Sequence, residues 1–392
     1  MPKHCSLLYT HINNDVDYIY PCCALEKSLV PQEEMIPATP ENFSKALTMP
    51  LFERIRKHTE EQDELPEECR KCKSEEKAGK PSLRTYANDV LKLDKYIGTD
   101  PAIRYLDIKF GTHCNLACRM CGEDRSSKWQ MINNPGVQPD LFFDVFDFDY
   151  FKHTDLSKVE YIKFLGGEPM LAKHHEQFLQ LLINQVDNPE NITLRYFTNG
   201  TIFPPKRVLE FWKEMKNVDI FFSVDSVYER NDWLRPGSSW EHLEKTVAKF
   251  KEAAKDNSKI RLGNSSTITN LSIFNLADTM EWVVRNFELN EETTMFNTLV
   301  IPKHLCLTNL ADEDKQRVLT SIEEQESRML SAIPTKYHHH VNGLIKYIKS
   351  FMMRKANETF TYEVISKLET KFDNYFNQDM KSVFPELFKR QK

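Results

Sequence analysis

Three cysteines near the centre of the chain constrain its fold and chemistry more than any other feature. Cys114, Cys118 and Cys121 have the spacing C-x3-C-x2-C, directly after a run at residues 105–110 that is typical of a strand. Thiolates are ligands for zinc and for iron–sulfur clusters, and these spacings allow one loop to bring all three to one point. A 4Fe–4S cluster usually takes four cysteines, so three would leave one iron open to a substrate or cofactor. The alternative is a zinc loop whose fourth ligand lies elsewhere in the chain.

Segments with strand and helix character alternate on both sides of this loop. Strands are predicted at residues 105–110, 161–165, 194–197, 220–224, 260–268 and 295–301. Helices are predicted between them at residues 175–186, 207–215, 240–254 and 279–287. Such alternation is typical of parallel βαβ units, here about six. In α/β barrels the chemistry lies at the carboxyl ends of the strands, which is where the cysteine loop is expected.

Other polar motifs follow the later strands and are expected at the same edge. Gly166-Gly167-Glu168-Pro169 follows the second strand; its glycines permit close backbone approach, and Glu168 can accept hydrogen bonds from an ammonium group. Asn199 lies in a Thr-Asn-Gly sequence that ends the third strand. Ser223 and Asp225 follow the fourth, and the later Arg235 has a guanidinium that suits a carboxylate. Taken singly, these motifs would be turns or surface ion pairs.

Together these motifs resemble those of the radical S-adenosylmethionine (SAM) superfamily. Its hallmark is C-x3-C-x-Φ-C with an aromatic residue usually at Φ, where this chain has Met120. The resemblance implies that Cys114, Cys118 and Cys121 hold a 4Fe–4S cluster whose open iron binds SAM. It also implies a set of SAM contacts, which are Gly166, Gly167, Glu168, Asn199, Ser223, Asp225 and Arg235.

The same resemblance implies a reaction and an electron donor. One electron, delivered by a protein such as flavodoxin or ferredoxin, reduces the cluster. SAM is then cleaved to methionine and a 5′-deoxyadenosyl radical, which abstracts hydrogen from a substrate.

A second group of cysteines lies in the first 72 residues. Residues 6–11 and 16–20 are predicted to form a hairpin around a turn at residues 13–15. A two-residue turn places Cys5 opposite Cys22, whereas a three-residue turn would exchange Cys22 for Cys23. Cys69 and Cys72 form a C-x2-C half-site, so four thiolates would suffice for one zinc ion or one 4Fe–4S cluster.

This amino-terminal segment resembles the auxiliary-cluster modules called SPASM and twitch. The resemblance implies a second 4Fe–4S cluster held by Cys5, Cys22, Cys69 and Cys72, although such modules usually follow the barrel and this segment precedes it. A zinc site that only stabilises a small domain is the alternative. The remaining cysteines, Cys23 and Cys306, are expected to pack in the core.

Composition limits the compartment and the partners. The 392 residues include 52 basic and 58 acidic residues, and the net charge of −6 argues against nucleic-acid binding. The nine cysteines occur in metal-like spacings without a secretion signal, which favours the reducing cytoplasm. No apolar run is long enough for a membrane span. The three histidines at residues 338–340 are consecutive and would not share a helical face, so surface positions are favoured over a metal site.

The sequence therefore predicts an α/β fold with three parts: an auxiliary-cluster domain at residues 1–95, a partial (β/α)6 radical SAM barrel at 96–310, and a helical extension at 311–392. The predicted function is a cytoplasmic radical SAM enzyme of the oxidoreductase or maturase type, acting on a peptide or protein side chain. Dehydrogenation of a small molecule, such as a sugar or nucleotide, is the second hypothesis. A third, from another class, is a non-catalytic iron–sulfur or zinc scaffold.

Overall fold

Nine strands form a single sheet in the described part of the chain, which comprises residues 4–15, 17–137, 151 and 153–388 of a computed structural model. In chain order the strands are β1 (His11–Asp15), β2 (Tyr18–Tyr20), β3 (Ile36–Pro37), β4 (Tyr105–Lys109), β5 (Tyr161–Leu165), β6 (Thr193–Thr198), β7 (Asn217–Phe222), β8 (Ile260–Ile268) and β9 (Thr294–Thr298). The order across the sheet is β3-β2-β1-β4-β5-β6-β7-β8-β9.

Helices precede, connect and follow these strands. The first six are α1 (Leu7–Thr10), α2 (Pro40–Lys45), α3 (Pro50–Gln62), α4 (Arg70–Lys77), α5 (Leu83–Thr85) and α6 (Ser127–Asn133). Within the barrel they are α7 (His175–Gln185), α8 (Lys206–Glu214), α9 (Tyr228–Leu234), α10 (Trp240–Asp256) and α11 (Leu276–Asn286). The carboxyl-terminal helices are α12 (Asp312–Ala332), α13 (His338–Met352), α14 (Tyr362–Phe376) and α15 (Met380–Val383).

The strands from β4 to β9 are parallel and lie in chain order, so the predicted partial (β/α)6 barrel is confirmed. Strands β5 and β8 have the predicted bounds, and the other four begin and end within three residues of them. Buried aliphatic and aromatic side chains of these strands form the main core together with α7, α8 and α10. The predicted helical extension is also present, and its helices pack with α11 in a second core.

The predicted amino-terminal hairpin exists, but the predicted register of its two strands is wrong. Residues 7–10 are helical instead of extended, and β1 covers the stretch that was expected to turn. Asn13 pairs with Tyr20 and Asn14 with Ile19, so Cys5 does not lie opposite Cys22 in a ladder. The cause is long-range: His11 to Asn13 pair in parallel with Tyr105 to Asp107 of β4, which fixes where β1 begins. Val16, the predicted start of the second strand, lies outside the described residues.

A row of charged residues crosses the inner face of the sheet. Register places Asp107, Lys163, Arg195, Asp219 and Arg261 side by side on neighbouring strands. Lys163 Nζ lies 2.6 Å from the Asp107 carboxylate. The Asp219 carboxylate forms ion pairs with Arg261 at 2.7 Å and with Arg195 at 3.3 Å. Burial would raise the pKa of Asp107, but Lys163 and His11 outweigh it and lower this pKa to about 2. The barrel interior is therefore charged and ion-paired at mid-height.

The division into domains at residues 95 and 310 stays a prediction, and β1 and β4 are hydrogen-bonded across the first of these boundaries. No helix among the described residues has both the length and the low polarity that a membrane span needs.

Candidate active site

The cysteine loop begins just beyond β4 and is held on both sides by backbone hydrogen bonds. Ala117 donates to the carbonyl of Pro236 at 3.0 Å, and Arg119 donates to Leu234 at 2.8 Å, so the loop runs beside the segment after α9. On the other side, the indole of Trp129 in α6 donates to the Cys118 carbonyl at 2.9 Å. These contacts fix the main chain of the loop without using the three thiols.

The three sulfur atoms lie in an environment suited to metal ligands. Burial raises the pKa of the Cys114 thiol to about 12, with a further contribution from Cys118. The pKa of Cys118 is lowered, first by a hydrogen bond from Cys121 and, against the effect of burial, by the guanidinium of Arg235. Arg235 Nη1 lies 3.6 Å from Cys118 Sγ, and Asn199 Nδ2 lies 3.8 Å from Cys114 Sγ. A cation and an amide donor are thus directed at sulfurs that would carry negative charge when bound to iron.

Arg235 is held in place by Asp225, which is another of the predicted SAM contacts. Its Nη2 lies 2.7 Å from Asp225 Oδ2, and both side chains are buried. The other oxygen of Asp225 accepts the Thr267 backbone N–H at 2.7 Å. Ser223 lies two residues earlier and donates its backbone N–H to Thr198 at 2.9 Å. The structure therefore brings Asp225 and Arg235 to the cysteine loop, with Ser223 at the end of the adjoining strand.

The glycine-rich motif and the Thr-Asn-Gly motif are joined through Glu168. Its buried carboxylate accepts hydrogen bonds from Thr198 Oγ1 and from the Asn199 backbone, both at 2.7 Å. Burial nevertheless raises the pKa of Glu168 to about 7. A carboxyl group in this environment would gain most from a cation, such as the ammonium group of an amino acid.

Gly166 and Gly167 are required by the packing of the cysteine loop. Gly166 has a φ of +111°, and a Cβ there would lie 2.6 Å from the Gly111 carbonyl oxygen. A Cβ on Gly167 would lie 2.2 Å from the carbonyl oxygen of His113. The backbone N–H groups of Gly167 and Glu168 donate to these same two carbonyls at 2.8 Å. The glycines thus seat the second motif against the start of the first.

Arg119, between the second and third cysteines, connects the loop to the carboxyl-terminal helix α14. Its guanidinium is buried and contacts Glu369 at 2.5 Å and Asp373 at 2.8 Å. It also lies 4.2 Å from the ring centroid of Trp233, whose indole N–H donates to Asp373. Sequence reasoning found no role for this arginine or for α14, since the partners are about 250 residues apart.

The four cysteines of the second set also come together, although the predicted ladder does not bring them there. Burial raises the pKa of each thiol, and neighbouring cysteines of the set add to the effect for Cys5, Cys22 and Cys69. The side chains of Cys22, Cys69 and Cys72 pack in one small cluster with Leu65. Cys306 is buried as expected, whereas Cys23 is exposed, so the expectation that it packs in the core is wrong.

Across the described ranges, three metal-ligating side chains whose ligand atoms lie within 4.8 Å of one another occur at Glu291, His339 and His340. His339 and His340 were not expected to share a helical face, yet their ring centroids lie only 3.9 Å apart. His340 Nε2 lies 3.0 Å from Glu291 Oε1, a contact that an ordinary hydrogen bond explains without a metal.

A cavity of about 510 Å³ occupies the barrel interior beside these motifs. Lys109 and Leu165, at the carboxyl ends of β4 and β5, line its upper part, and Tyr105 lines its lower part. The exposed thiol of Cys23 also faces it, 4.0 Å from Lys163 Nζ. Its size is within the range of about 300–1,000 Å³ that is usual for small-molecule sites.

A protein-family model matches the central part of the chain. The model of the Radical SAM superfamily matches residues 108–283, which include the cysteine loop and the motifs from Gly166 to Arg235. No curated protein matches the sequence.

Several solved structures are similar at low identity. SuiB from Streptococcus suis bound to S-adenosylmethionine is 17% identical over 63% of this chain and 52% of its own, with a TM-score of 0.36. The native protein anSMEcpe with bound AdoMet is 18% identical over 58% of this chain and 61% of its own, also with a TM-score of 0.36. The chain thus spans less than two thirds of either protein.

Proposed function

We propose that this chain, whose residues 108–283 match the model of the Radical SAM superfamily, generates a 5′-deoxyadenosyl radical and abstracts hydrogen from a peptide or protein side chain. The superfamily's cofactors are a 4Fe–4S cluster and SAM, and when bound they supply the electron and the radical. Convergence of three motifs on one cysteine loop is the observation that carries the proposal.

We assign Cys114, Cys118 and Cys121 as the ligands of the SAM-binding cluster. The three thiols lie on one anchored loop, and Arg235 lies 3.6 Å from Cys118 Sγ, where it can offset the negative charge of a thiolate-bound cluster. Glu168 would accept the ammonium group of SAM, for which its buried carboxylate, held by Thr198 and Asn199, is suited. Arg235 would bind the carboxylate of SAM with an N–H that Asp225 directs. Gly166, Gly167 and Ser223 complete the edge against which SAM would lie.

We further propose that Cys5, Cys22, Cys69 and Cys72 hold a second 4Fe–4S cluster. Four thiols fill the coordination of such a cluster, and neighbouring cysteines of the set raise the pKa values of Cys5, Cys22 and Cys69 in addition to burial. Cys23, the neighbour of Cys22, faces the barrel cavity. The second cluster would therefore lie beside the substrate.

A peptide segment is our first candidate substrate and a small molecule is the second. The cavity volume of about 510 Å³ accommodates either one or two side chains of a peptide or a whole small metabolite. An electron donor such as flavodoxin or ferredoxin completes the proposed reaction.

The test measures 5′-deoxyadenosine formation by anaerobically reconstituted protein in the presence of SAM and dithionite. We expect product from the natural sequence and none after replacement of Cys114, Cys118 and Cys121 by Ala. Cys306→Ala, which also removes a buried thiol, is the matched control and should retain activity. Undiminished cleavage in the triple variant would overturn the assignment.

The substrate class is tested with fractions of a cell extract from the source organism. A peptide fraction should increase 5′-deoxyadenosine formation above the basal rate, and digestion of that fraction with protease should remove the increase. If the increase is instead found with the small-molecule fraction and survives protease, the second candidate is correct.

A further inference from the structure

The loop before β9 and the first turn of α13 bring three metal-ligating side chains to one point. Glu291 of the loop and His339 and His340 of the helix each offer one ligand atom, and these atoms lie within 4.8 Å of one another. Glu291 and His340 are 49 residues apart in the sequence, on opposite sides of the predicted boundary at residue 310. The grouping is therefore produced by the tertiary fold.

The main chain on either side of Glu291 is fixed to the barrel. The side-chain oxygen Oδ1 of Asn290 accepts the backbone N–H of Glu292 at 2.9 Å. The carbonyl of Glu292 in turn accepts hydrogen bonds from Tyr86 Oη and Arg195 Nη2, both at 2.8 Å. Because the flanking residues are held in this way, the position from which the Glu291 side chain extends is well defined.

The start of α13 is joined to the same loop. Tyr337 donates its hydroxyl to the Leu289 carbonyl at 3.0 Å, which places the two histidine rings above Glu291. His340 Nε2 lies 3.0 Å from Glu291 Oε1. This hydrogen bond joins only two of the three groups, and the ring of His339, 3.9 Å from that of His340 between centroids, adds a third ligand atom close to both.

Two imidazoles and one carboxylate are a ligand set for divalent transition-metal ions. Zn²⁺ is commonly held by two histidines and one glutamate, with water or another ligand in the fourth position. In a tetrahedral site with metal–ligand distances of about 2.0–2.1 Å, the ligand atoms lie about 3.3 Å apart. The spacing limit of 4.8 Å thus leaves a closure of at most about 1.5 Å. Side-chain rotation can supply this closure, since Glu291 and His339 are exposed and His340 is half-buried.

We propose that Glu291, His339 and His340 bind one divalent transition-metal ion, with Zn²⁺ as the first candidate. The ion replaces the hydrogen bond between Glu291 and His340 and joins the barrel to the carboxyl-terminal helices. Because Glu291 and His340 also line the barrel cavity, the site lies at its rim, and the fourth ligand position is open to water or to a donor atom of a bound molecule. This metal site is independent of the proposed radical chemistry, since it shares no residue with either cysteine set.

Anaerobic equilibrium dialysis of the reconstituted protein against micromolar Zn²⁺, followed by metal analysis, tests the proposal. The natural sequence should hold one zinc per chain more than the double variant His339→Gln, His340→Gln. Glu291→Gln should weaken binding of this zinc by at least about tenfold, because a charged ligand is lost. All of these proteins have the same cysteines, so zinc bound by thiols cancels in the comparison.

His338→Gln is the matched control, because His338 is the neighbour of the pair but its Nε2 lies 3.0 Å from the Ile333 carbonyl. This variant should bind zinc like the natural sequence. Thermal unfolding gives a second measurement: zinc should raise the Tm of the natural protein and of His338→Gln, but not that of the double variant.

Equal zinc content in the natural protein and the double variant would overturn the proposal, as would an equal loss in His338→Gln. Loss in the double variant with full binding in Glu291→Gln would indicate an adventitious ion only, held by surface histidines, and would also reject the site. Zinc binding requires neither SAM nor a radical. A failed SAM-cleavage assay would therefore reject the proposed function and leave this metal site standing.

Discussion

Arg119 of the cysteine loop donates from Nη2 to Asp373 Oδ1 of α14 at 2.8 Å, with both side chains withdrawn from solvent. Glu369, one turn earlier in α14, accepts a hydrogen bond from Nη1 of the same guanidinium. The carboxyl-terminal helices thus reach the centre of the site. The loop that would bind the cluster is held from three sides, by α6, by the segment after α9 and by α14.

We expect Asp373→Asn to destabilise the protein by about 3 kcal/mol, because breaking a buried ion pair leaves its partner charge poorly compensated. Asp373 also accepts from Trp233, so two contacts weaken together. Urea unfolding with and without SAM measures the loss. Glu363→Gln, which removes an exposed ion pair on the same helix, is the control and should change stability by less than about 1 kcal/mol. Equal effects of the two variants would show that α14 contributes only packing.

Arg235→Lys is expected to weaken SAM binding by about 2 kcal/mol, since lysine keeps the charge but loses the fork that reaches Asp225 and the ligand together. Equilibrium binding of SAM to the reconstituted protein gives the value. Arg230→Lys, in α9 and paired with Glu386, controls for a general effect of the exchange. If both variants bind SAM like the natural protein, Arg235 has a purely structural role with Asp225.

Glu168 should make the stability of the SAM-free protein depend on pH. Its folded-state pKa of about 7 lies above the ordinary value of 4.5, so the folded state binds the proton more tightly. Its contribution is fully present below pH 4.5 and is lost as pH rises through 7. Between about pH 5.5 and pH 8 the loss should be about 2 kcal/mol.

Urea unfolding at both pH values, with the natural protein and with Glu168→Gln, isolates this effect. The Gln variant has no carboxyl group to ionise and should show a pH dependence smaller by about 2 kcal/mol. Identical pH profiles for the two proteins would mean that Glu168 is not the group responsible.

Variants of the adjacent residues Cys22 and Cys23 test the second metal site. In the Cys114, Cys118 and Cys121 triple variant, about four irons per chain should remain, as for one 4Fe–4S cluster. Addition of Cys22→Ala should lower the iron content, because Cys22 packs with Cys69 and Cys72. Addition of Cys23→Ala should leave it unchanged, because that thiol faces the cavity. The reverse result would exchange the two assignments, and one zinc in place of iron would convert the site to a structural one.

The barrel could be predicted from sequence because segments with strand and helix character alternate along the chain. Strands β5 and β8 match the predicted bounds. The motifs after the strands could be placed at one edge by topology alone. What the sequence did not reveal depends on distant partners: the register of β1, set by β4, and the partners of Arg119, contributed by α14.

The position of Cys23 illustrates the same limit. A lone cysteine is usually buried in the core, and the cavity that Cys23 faces is lined by residues that are distant in the sequence.

The pairing of β1 with β4 also decides how the sheet ends. Without it, the strand that leads into the cysteine loop would have an open row of backbone donors and acceptors, a surface that recruits strands of other molecules. Instead β1 covers that row, β2 and β3 continue antiparallel, and the last strand is two residues long and contains Pro37, which has no N–H to offer. The amino-terminal segment thus covers the β4 edge of the barrel sheet with its own strands. Replacing its cysteines should leave a folded protein, whereas deleting residues 1–40 should yield one that self-associates through β4.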